Sequence, residues 1–173
     1  SIADAQPHSL AVGSGRRLWI GMMRGGLARY DIDSGQWTRF RHDGTHDDEG
    51  LGSNAVFALH EDRNGRLWVG TANGLNLVDP ASGVMHLFRH VPDDVHSLSS
   101  NVVLSIHENS NGELWIGTQS GLNRLDALDV QRAHFSHWPQ GLDAGAIHSI
   151  QDDGLGRLWL GTSRGFASLD TTS

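Results

Sequence analysis

Residues 65–70 read Gly-Arg-Leu-Trp-Val-Gly, and the recurrence of this phrase along the chain is the strongest indication of the fold. It returns with small changes at 112–117 and 156–161, and with one extra Arg at 15–21. The tryptophans of the four phrases are spaced 49, 47 and 44 residues apart. Self-similarity at this period is typical of propeller blades or helical solenoids. The chain is therefore expected to be an array of one small unit.

The content of each repeat favours propeller blades. A second phrase, Gly-(Leu/Phe)-x-x-x-Asp, follows each Trp, and an alternating run that ends in a polar turn precedes it. Short β-branched and aromatic runs between Gly, Asn and Asp are typical of strands joined by hairpins. No segment keeps a 3.6-residue apolar period long enough for a helix. One unit is predicted to be a four-stranded antiparallel meander with strands near 54–60, 66–70, 75–79 and 84–89.

We predict an all-β propeller of about four blades, of which the last is incomplete because the chain ends after its third strand. Three explanations stay open: residues 1–6 complete a four-bladed ring, a second copy completes a larger ring, or the chain is a fragment of a larger propeller. The third is favoured, since the repeat runs off both ends without a cap. The single domain, 1–173, divides into units at approximately 7–42, 54–90, 101–138 and 145–170.

The repeated Trp and Gly residues are predicted to be structural. A blade cannot bury both of its faces alone, so each Trp is expected to pack between neighbouring sheets. The residues concerned are Trp19, Trp68, Trp115 and Trp159, with Gly21, Gly70, Gly117 and Gly161 two positions later.

Composition excludes several function classes. The formal net charge is −7 and the cations are scattered arginines, which argues against a nucleic-acid partner. The chain contains no Cys, so it offers no disulfide or thiol chemistry, which suits the cytoplasm and the periplasm equally. No run of about eighteen apolar residues occurs, and direct membrane insertion is not expected.

Motifs for catalysis and metal binding fail on their spacing. His-Glu at 60–61 and 107–108 begins like a zinc-protease motif, but no second His lies four residues on. Residues 62–65 begin like a calcium loop, yet Leu67 and Val69 follow where oxygen ligands are needed. We therefore expect no catalytic residue, no metal and no cofactor.

The long links from each outer strand to the next inner strand are the candidate binding surface, since rigid scaffolds often carry binding residues on connections. Three such links, at 41–50, 89–96 and 137–143, combine His with acids, and the third adds a Trp. Turn capping by these side chains is the favoured alternative for any one of them, and a divalent-metal cluster is another. The candidate ligand-binding residues are His42, His46, Asp47, Asp48, His90, Asp93, Asp94, His96 and Trp138.

Residues 59–71, 106–118 and the link 91–101 resemble the two-component regulator propeller repeat. The resemblance extends over nearly the whole chain, although Gly21-Met22-Met23 stands where the other units have Gly-Thr. It implies a periplasmic β-propeller sensor of the kind found in hybrid histidine kinases and diguanylate cyclases, many of which respond to oligosaccharides. Residues 1–173 show no kinase or cyclase segment, so the resemblance implies an input module alone within them.

The leading expectation is a non-catalytic, periplasmic ligand-sensing input domain for signal transduction, and the resemblance suggests an oligosaccharide as the unidentified small molecule. The first alternative is a protein–protein interaction scaffold whose open blade edges pair with a second copy, as a homo-oligomer, or with the remaining blades of a longer chain. The second alternative is a propeller lyase or hydrolase.

Overall fold

The chain forms antiparallel β-sheets throughout the part that the structure describes. This computed structural model describes residues 6–44, 50–128, 132–138 and 145–171. Within these ranges it has fifteen strands and no helix, which confirms the all-β prediction. The first sheet contains β1 (Pro7–Gly13), β2 (Arg17–Met22), β3 (Gly26–Asp31) and β4 (Trp37–Phe40); the second β5 (Val56–Glu61), β6 (Leu67–Thr71), β7 (Gly74–Val78) and β8 (Met85–Phe88); the third β9 (Val103–Glu108), β10 (Leu114–Thr118), β11 (Gly121–Leu128) and β12 (Ala133–Trp138); the fourth β13 (Ile147–Asp152), β14 (Arg157–Thr162) and β15 (Gly165–Asp170).

In each sheet the strands lie side by side in chain order, as a meander requires. Within the second sheet the observed strands differ from the predicted ones by one or two residues at their ends. The inner strand begins at Val56 rather than near residue 54, because Asn54 belongs to the preceding link. The Asn54 side chain hydrogen-bonds the backbone N–H and C=O of His42.

The turn before each Trp strand uses a backbone conformation that suits glycine. Gly65, Gly112 and Gly156 have φ angles of 73°, 87° and 95°, in the left-handed region that residues with a Cβ seldom adopt. In the first unit Arg16 occupies this position with φ of 55°. The recurring Gly therefore closes the hairpin that presents the following Trp strand.

The sheets are stacked in sequence around their inner strands. Contacts run from β1 to β5, from β5 to β9 and from β9 to β13. Each pair of neighbouring sheets encloses one apolar cluster, and each cluster contains a Trp from the earlier sheet. Burial of a Trp in such a cluster contributes at most about 4–6 kcal/mol from the apolar area removed from water.

The described strands do not close a ring. The fourth sheet has three described strands, and β1 packs against β5, whereas β1 and β13 share no extensive contact. This arrangement confirms the predicted incomplete last blade. In the described ranges, no helix has the length and apolar character needed to cross a lipid bilayer.

Candidate functional site

Two of the candidate histidines hold the links in place. His42 Nδ1 lies 2.8 Å from the carbonyl oxygen of Leu51, and His90 Nδ1 lies 2.7 Å from that of Leu98. A carbonyl oxygen can only accept, so Nδ1 carries the proton in both rings. The two residues occupy equivalent positions, and each ties the start of a link to its far end.

The candidate residues of the second link lie on an exposed turn. Asp94 Oδ1 accepts a hydrogen bond of 2.9 Å from the backbone N–H of His96, and Asp93 has φ of 68°. The His96 ring lies 5.5 Å from the ring of His134, measured between centroids. Asp94 therefore caps its own turn, while the His96 ring stays exposed at the surface.

Trp138 lies at the edge of the cluster between the third and fourth sheets. Its ring centroid is 6.0 Å from that of Trp115, and the Arg124 guanidinium lies 5.4 Å above it. The candidates His46, Asp47 and Asp48 lie outside the described residues. The described candidates are thus distributed over separate links and do not converge on one pocket.

The segment that begins like a calcium loop is a hairpin turn. Asp62 Oδ1 accepts hydrogen bonds from the backbone N–H groups of Asn64 and Arg66, and Asp62 Oδ2 accepts one of 2.9 Å from Trp68 Nε1. Burial alone would raise the pKa of Asp62, but the hydrogen bonds from Trp68 and Arg66 lower it below its ordinary 3.8. Both oxygens of the Asp62 carboxylate therefore accept hydrogen bonds from neighbouring residues of the same sheet.

A row of carboxylates joins consecutive sheets at the end of their inner strands. Each lies seven residues before a Trp and accepts a hydrogen bond from a backbone N–H in the first hairpin of the preceding sheet; we call them latch carboxylates. In the sequence, two of them, Glu61 and Glu108, were interpreted as parts of an incomplete zinc-protease motif. The contacts are Glu61 Oε1 with Ser14 N at 2.6 Å, Glu108 Oε2 with Arg63 N at 2.9 Å, and Asp152 Oδ2 with Ser110 N at 3.0 Å.

Histidines on the inner strands face these carboxylates across the sheet interfaces. His107 Nε2 lies 3.2 Å from Asp152 Oδ1, and His60 Nε2 lies 3.6 Å from Glu108 Oε2. Burial lowers the pKa of His60 from its ordinary 6.5, against the opposing effect of Glu108. The Ser110 N–H lowers the pKa of Asp152 from its ordinary 3.8. The described residues contain no group of three or more His, Cys, Asp or Glu suited to a metal ion.

A cleft of about 580 Å³ opens between the outer strands of the first and second sheets. Arg41 and Gly50, the two ends of a candidate link, belong to its lining, beside Leu51, whose carbonyl oxygen accepts a hydrogen bond from His42. Arg17 and Arg29 brace the opposite loop by donating to the Pro80 carbonyl oxygen. The sequence did not reveal this site, since its lining is divided between the outer strands of two sheets and the loops beside them. Its lining is Arg39, Phe40, Arg41, Gly50, Leu51, Gly83, Val84, Met85 and His86.

Three segments of the chain match the family model described as "Two component regulator propeller", at residues 50–73, 97–120 and 141–164. No curated protein sequence matches the chain significantly. These matches include the Trp phrases of the second, third and fourth units, in agreement with the resemblance that the sequence indicated.

Solved structures share the fold at low sequence identity. The extracellular domain of BT3049 from B. thetaiotaomicron, described as a hybrid two component system, has a TM-score of 0.73 and 21% identity over 96% of this chain and 23% of its own. That of BT4673 from the same organism has a TM-score of 0.54 and 22% identity over 96% of this chain and 29% of its own. Virginiamycin B lyase from Staphylococcus aureus has a TM-score of 0.60 and 16% identity over 98% and 57%.

The chain spans less than a third of the two extracellular domains and little more than half of the lyase. The similarity establishes the propeller fold.

Proposed function

We propose that this chain, which carries repeats of the two-component regulator propeller family, forms part of the extracellular or periplasmic sensing region of a bacterial signalling protein. The observation that carries the proposal is the match of three units to that repeat model. The fold similarity to extracellular domains of two-component systems supports the location. In this proposal the chain binds a ligand and performs no covalent chemistry.

The cleft between the first and second sheets is the proposed ligand site. It presents Arg39, Arg41 and His86 beside the partly buried ring of Phe40. Guanidinium and imidazole N–H groups suit hydroxyl and carboxylate oxygens, and an aromatic ring suits the apolar face of a sugar. An oligosaccharide, with or without acidic groups, is the ligand class that this combination fits.

Binding in the cleft would act on the packing of the two sheets. The cleft takes residues from β4 of the first sheet and β8 of the second. A ligand that binds one arrangement of the sheets more tightly shifts the population toward it. The latch carboxylates and the facing histidines depend on sheet spacing, so they provide a route by which such a shift would reach the later sheets.

The proposal is tested by thermal unfolding in the presence of a panel of neutral and acidic oligosaccharides. A specific ligand at about 100 times its Kd is expected to raise Tm by roughly 5–10 °C. Arg41→Ala is expected to abolish that increase, whereas Arg132→Ala, outside the cleft lining, is expected to leave it unchanged. A ligand whose effect survives Arg41→Ala would place the binding site elsewhere.

The fold similarity to virginiamycin B lyase makes an enzymatic function the alternative to be tested. The described His and carboxylate pairs lie between sheets, where the carboxylates already accept backbone hydrogen bonds. We therefore expect the chain to leave virginiamycin B intact, as judged by mass spectrometry after incubation. A cleavage product would replace the sensor proposal with a lyase.

A further inference from the structure

The three interfaces between sheets are built in the same way. On the fourth sheet, the surface that would pack against a following sheet is not covered by any described residue. At each interface a Trp and an apolar side chain on the next strand pack against the following sheet. Trp19, Trp68 and Trp115 are fully buried in this way, whereas Trp159 is 42% exposed. Phe166, the partner of Trp159 on the next strand, is 80% exposed. Among the described residues nothing covers this apolar face.

The glycine two residues after each Trp provides the second part of the construction. It leaves a recess that receives a β-branched side chain from the next inner strand. On the fourth sheet a Cβ added at Gly161 would meet only Ser149 of the same sheet, so this recess faces outward unfilled by any described residue. The filled recesses are Gly21 with Val56, Gly70 with Val103 and Gly117 with Ile147.

A backbone donor is the third part. In the first three sheets, the N–H five residues before the Trp donates to a latch carboxylate. Gly154 occupies that position in the fourth sheet, and no described residue accepts a hydrogen bond from its N–H. We call Gly154, Trp159, Gly161 and Phe166 the acceptor face.

The strands that cover the three internal faces define what fits the fourth. Each carries a Val or Ile and, five residues later, a Glu or Asp. The first sheet of this chain has Pro7 and Val12 at those positions, and Val12 is 80% exposed. A second copy docking through its first sheet would bring neither the branched side chain for the recess nor the carboxylate for Gly154. The covering strands carry the pairs Val56 and Glu61, Val103 and Glu108, and Ile147 and Asp152.

We propose that the acceptor face binds the inner strand of another blade of this repeat, one that carries Val or Ile followed five residues later by Glu or Asp. The first sheet of a second copy does not bind there. This inference concerns assembly and is independent of the ligand proposed above. In place of a homo-oligomeric scaffold, it specifies which blade can bind. The branched residue sets how deeply the incoming strand enters the recess at Gly161, and the carboxylate sets the register of that strand.

The absence of Cys from the chain allows a single thiol to report on the acceptor face. Phe166→Cys places that thiol at a site that is 80% exposed. A copy of residues 80–138 is then joined directly after Asp170, which is equivalent to Asp79 in its Gly-(Leu/Phe)-x-x-x-Asp phrase. The copy supplies an outer strand for the fourth sheet and a complete blade to cover it. The rate of thiol labelling is compared with that of the unextended chain.

We expect the extension to slow labelling by roughly tenfold or more, because the thiol then reacts only after local opening. The matched control changes Val103→Pro and Glu108→Val within the copy alone, which reproduces the first-sheet residues. Labelling of this control is expected to stay near the rate of the unextended chain. Labelling of the unextended chain is expected to be independent of protein concentration.

Three results would overturn the proposal. The first is unchanged labelling of the extended chain, including the case of an unfolded extension, since a blade of this kind folds only against a neighbour. The second is equal protection by the control extension. The third is protection of the unextended chain at high concentration, which would show a second copy on the face. Trp159→Cys, at a site that is 42% exposed here and whose three equivalents are fully buried, serves as a second reporter if Phe166→Cys perturbs folding.

Discussion

The interface between the second and third sheets and the outer face of the fourth sheet are built from the same phrase with opposite results. Trp68 is fully buried between two sheets, and Trp159 is 42% exposed at the equivalent position. Gly70 receives a side chain from the next sheet, and Gly161 receives none from the described residues. The repeat therefore specifies a surface, while the burial of that surface depends on whether a neighbouring sheet covers it. Variants at paired positions in the two regions measure that dependence.

The tryptophans give the largest expected difference. Trp68→Ala would remove a fully buried ring and is expected to lower the free energy of unfolding by about 3–5 kcal/mol. Trp159→Ala, on the partly exposed face, is expected to cost less than about 1 kcal/mol. Urea unfolding followed by circular dichroism measures both. Equal losses would mean that Trp159 is covered in solution.

The glycines are expected to differ next. A Cβ added at Gly70 would lie 2.8 Å from Val103 Cγ1 and 3.1 Å from the Val103 carbonyl oxygen, so Gly70→Ala is expected to cost about 1–3 kcal/mol. At Gly161 the added Cβ would meet the Ser149 hydroxyl, which can rotate away. Gly161→Ala is therefore expected to be the milder change in the same unfolding experiment. A larger loss of stability in Gly161→Ala than in Gly70→Ala would contradict the presence of a filled recess at Gly70.

Substitution of a latch carboxylate is expected to lower the free energy of unfolding by a similar or smaller amount than substitution of an interface glycine. Glu108→Ala would remove the acceptor for the Arg63 N–H and is expected to cost about 1–3 kcal/mol. Glu108→Gln keeps an acceptor oxygen and is expected to retain part of that stability. Val12→Ala, at the equivalent but exposed position of the first sheet, is expected to be nearly neutral. If Glu108→Ala were as mild as Val12→Ala, the latch would not stabilise the interface.

A dependence on pH is the smallest expected effect. The pKa of His60 in the folded chain is below its ordinary 6.5, so the unfolded chain binds more protons as the pH falls through that range. Stability is therefore expected to fall as the pH is lowered through about 6.5 toward the lower folded value. His60→Gln should reduce this fall, and His148→Gln, at an exposed position, should not. Denaturant midpoints between pH 5 and 7.5 measure it.

The fold class could be predicted from the sequence because the signals for strands and hairpins lie within each repeat. Gly before each Trp and the Gly-(Leu/Phe) phrase after it mark hairpins, and alternation marks strands. The number of strands and the incomplete last sheet followed from the same counting. The second inner strand begins two residues later than predicted. An apolar pattern does not reveal that the Asn54 side chain hydrogen-bonds the His42 backbone.

The candidate site was less predictable than the fold. Composition singled out His42 and His90, but the acceptor that each ring meets is a carbonyl brought near by the path of the link. Arg39 and His86 belong to outer strands of different sheets and Arg41 to the link that follows the first of these strands, and only sheet packing places them around one cleft. The latch carboxylates left a signal that could have been found, since an acid precedes three of the four repeated tryptophans by seven residues.

The amino-acid sequence alone specifies the blades: their strands, their hairpins, and the Trp, Gly and acid that most of them present to a neighbour. These features depend on residues close together in the chain, where backbone preference and alternation act directly. The packing of the sheets against one another sets which of those surfaces are buried, which polar groups pair across sheets and where a cleft opens. Such outcomes depend on contacts between residues some 45 positions apart, and nothing in a local pattern states whether the neighbouring sheet is present.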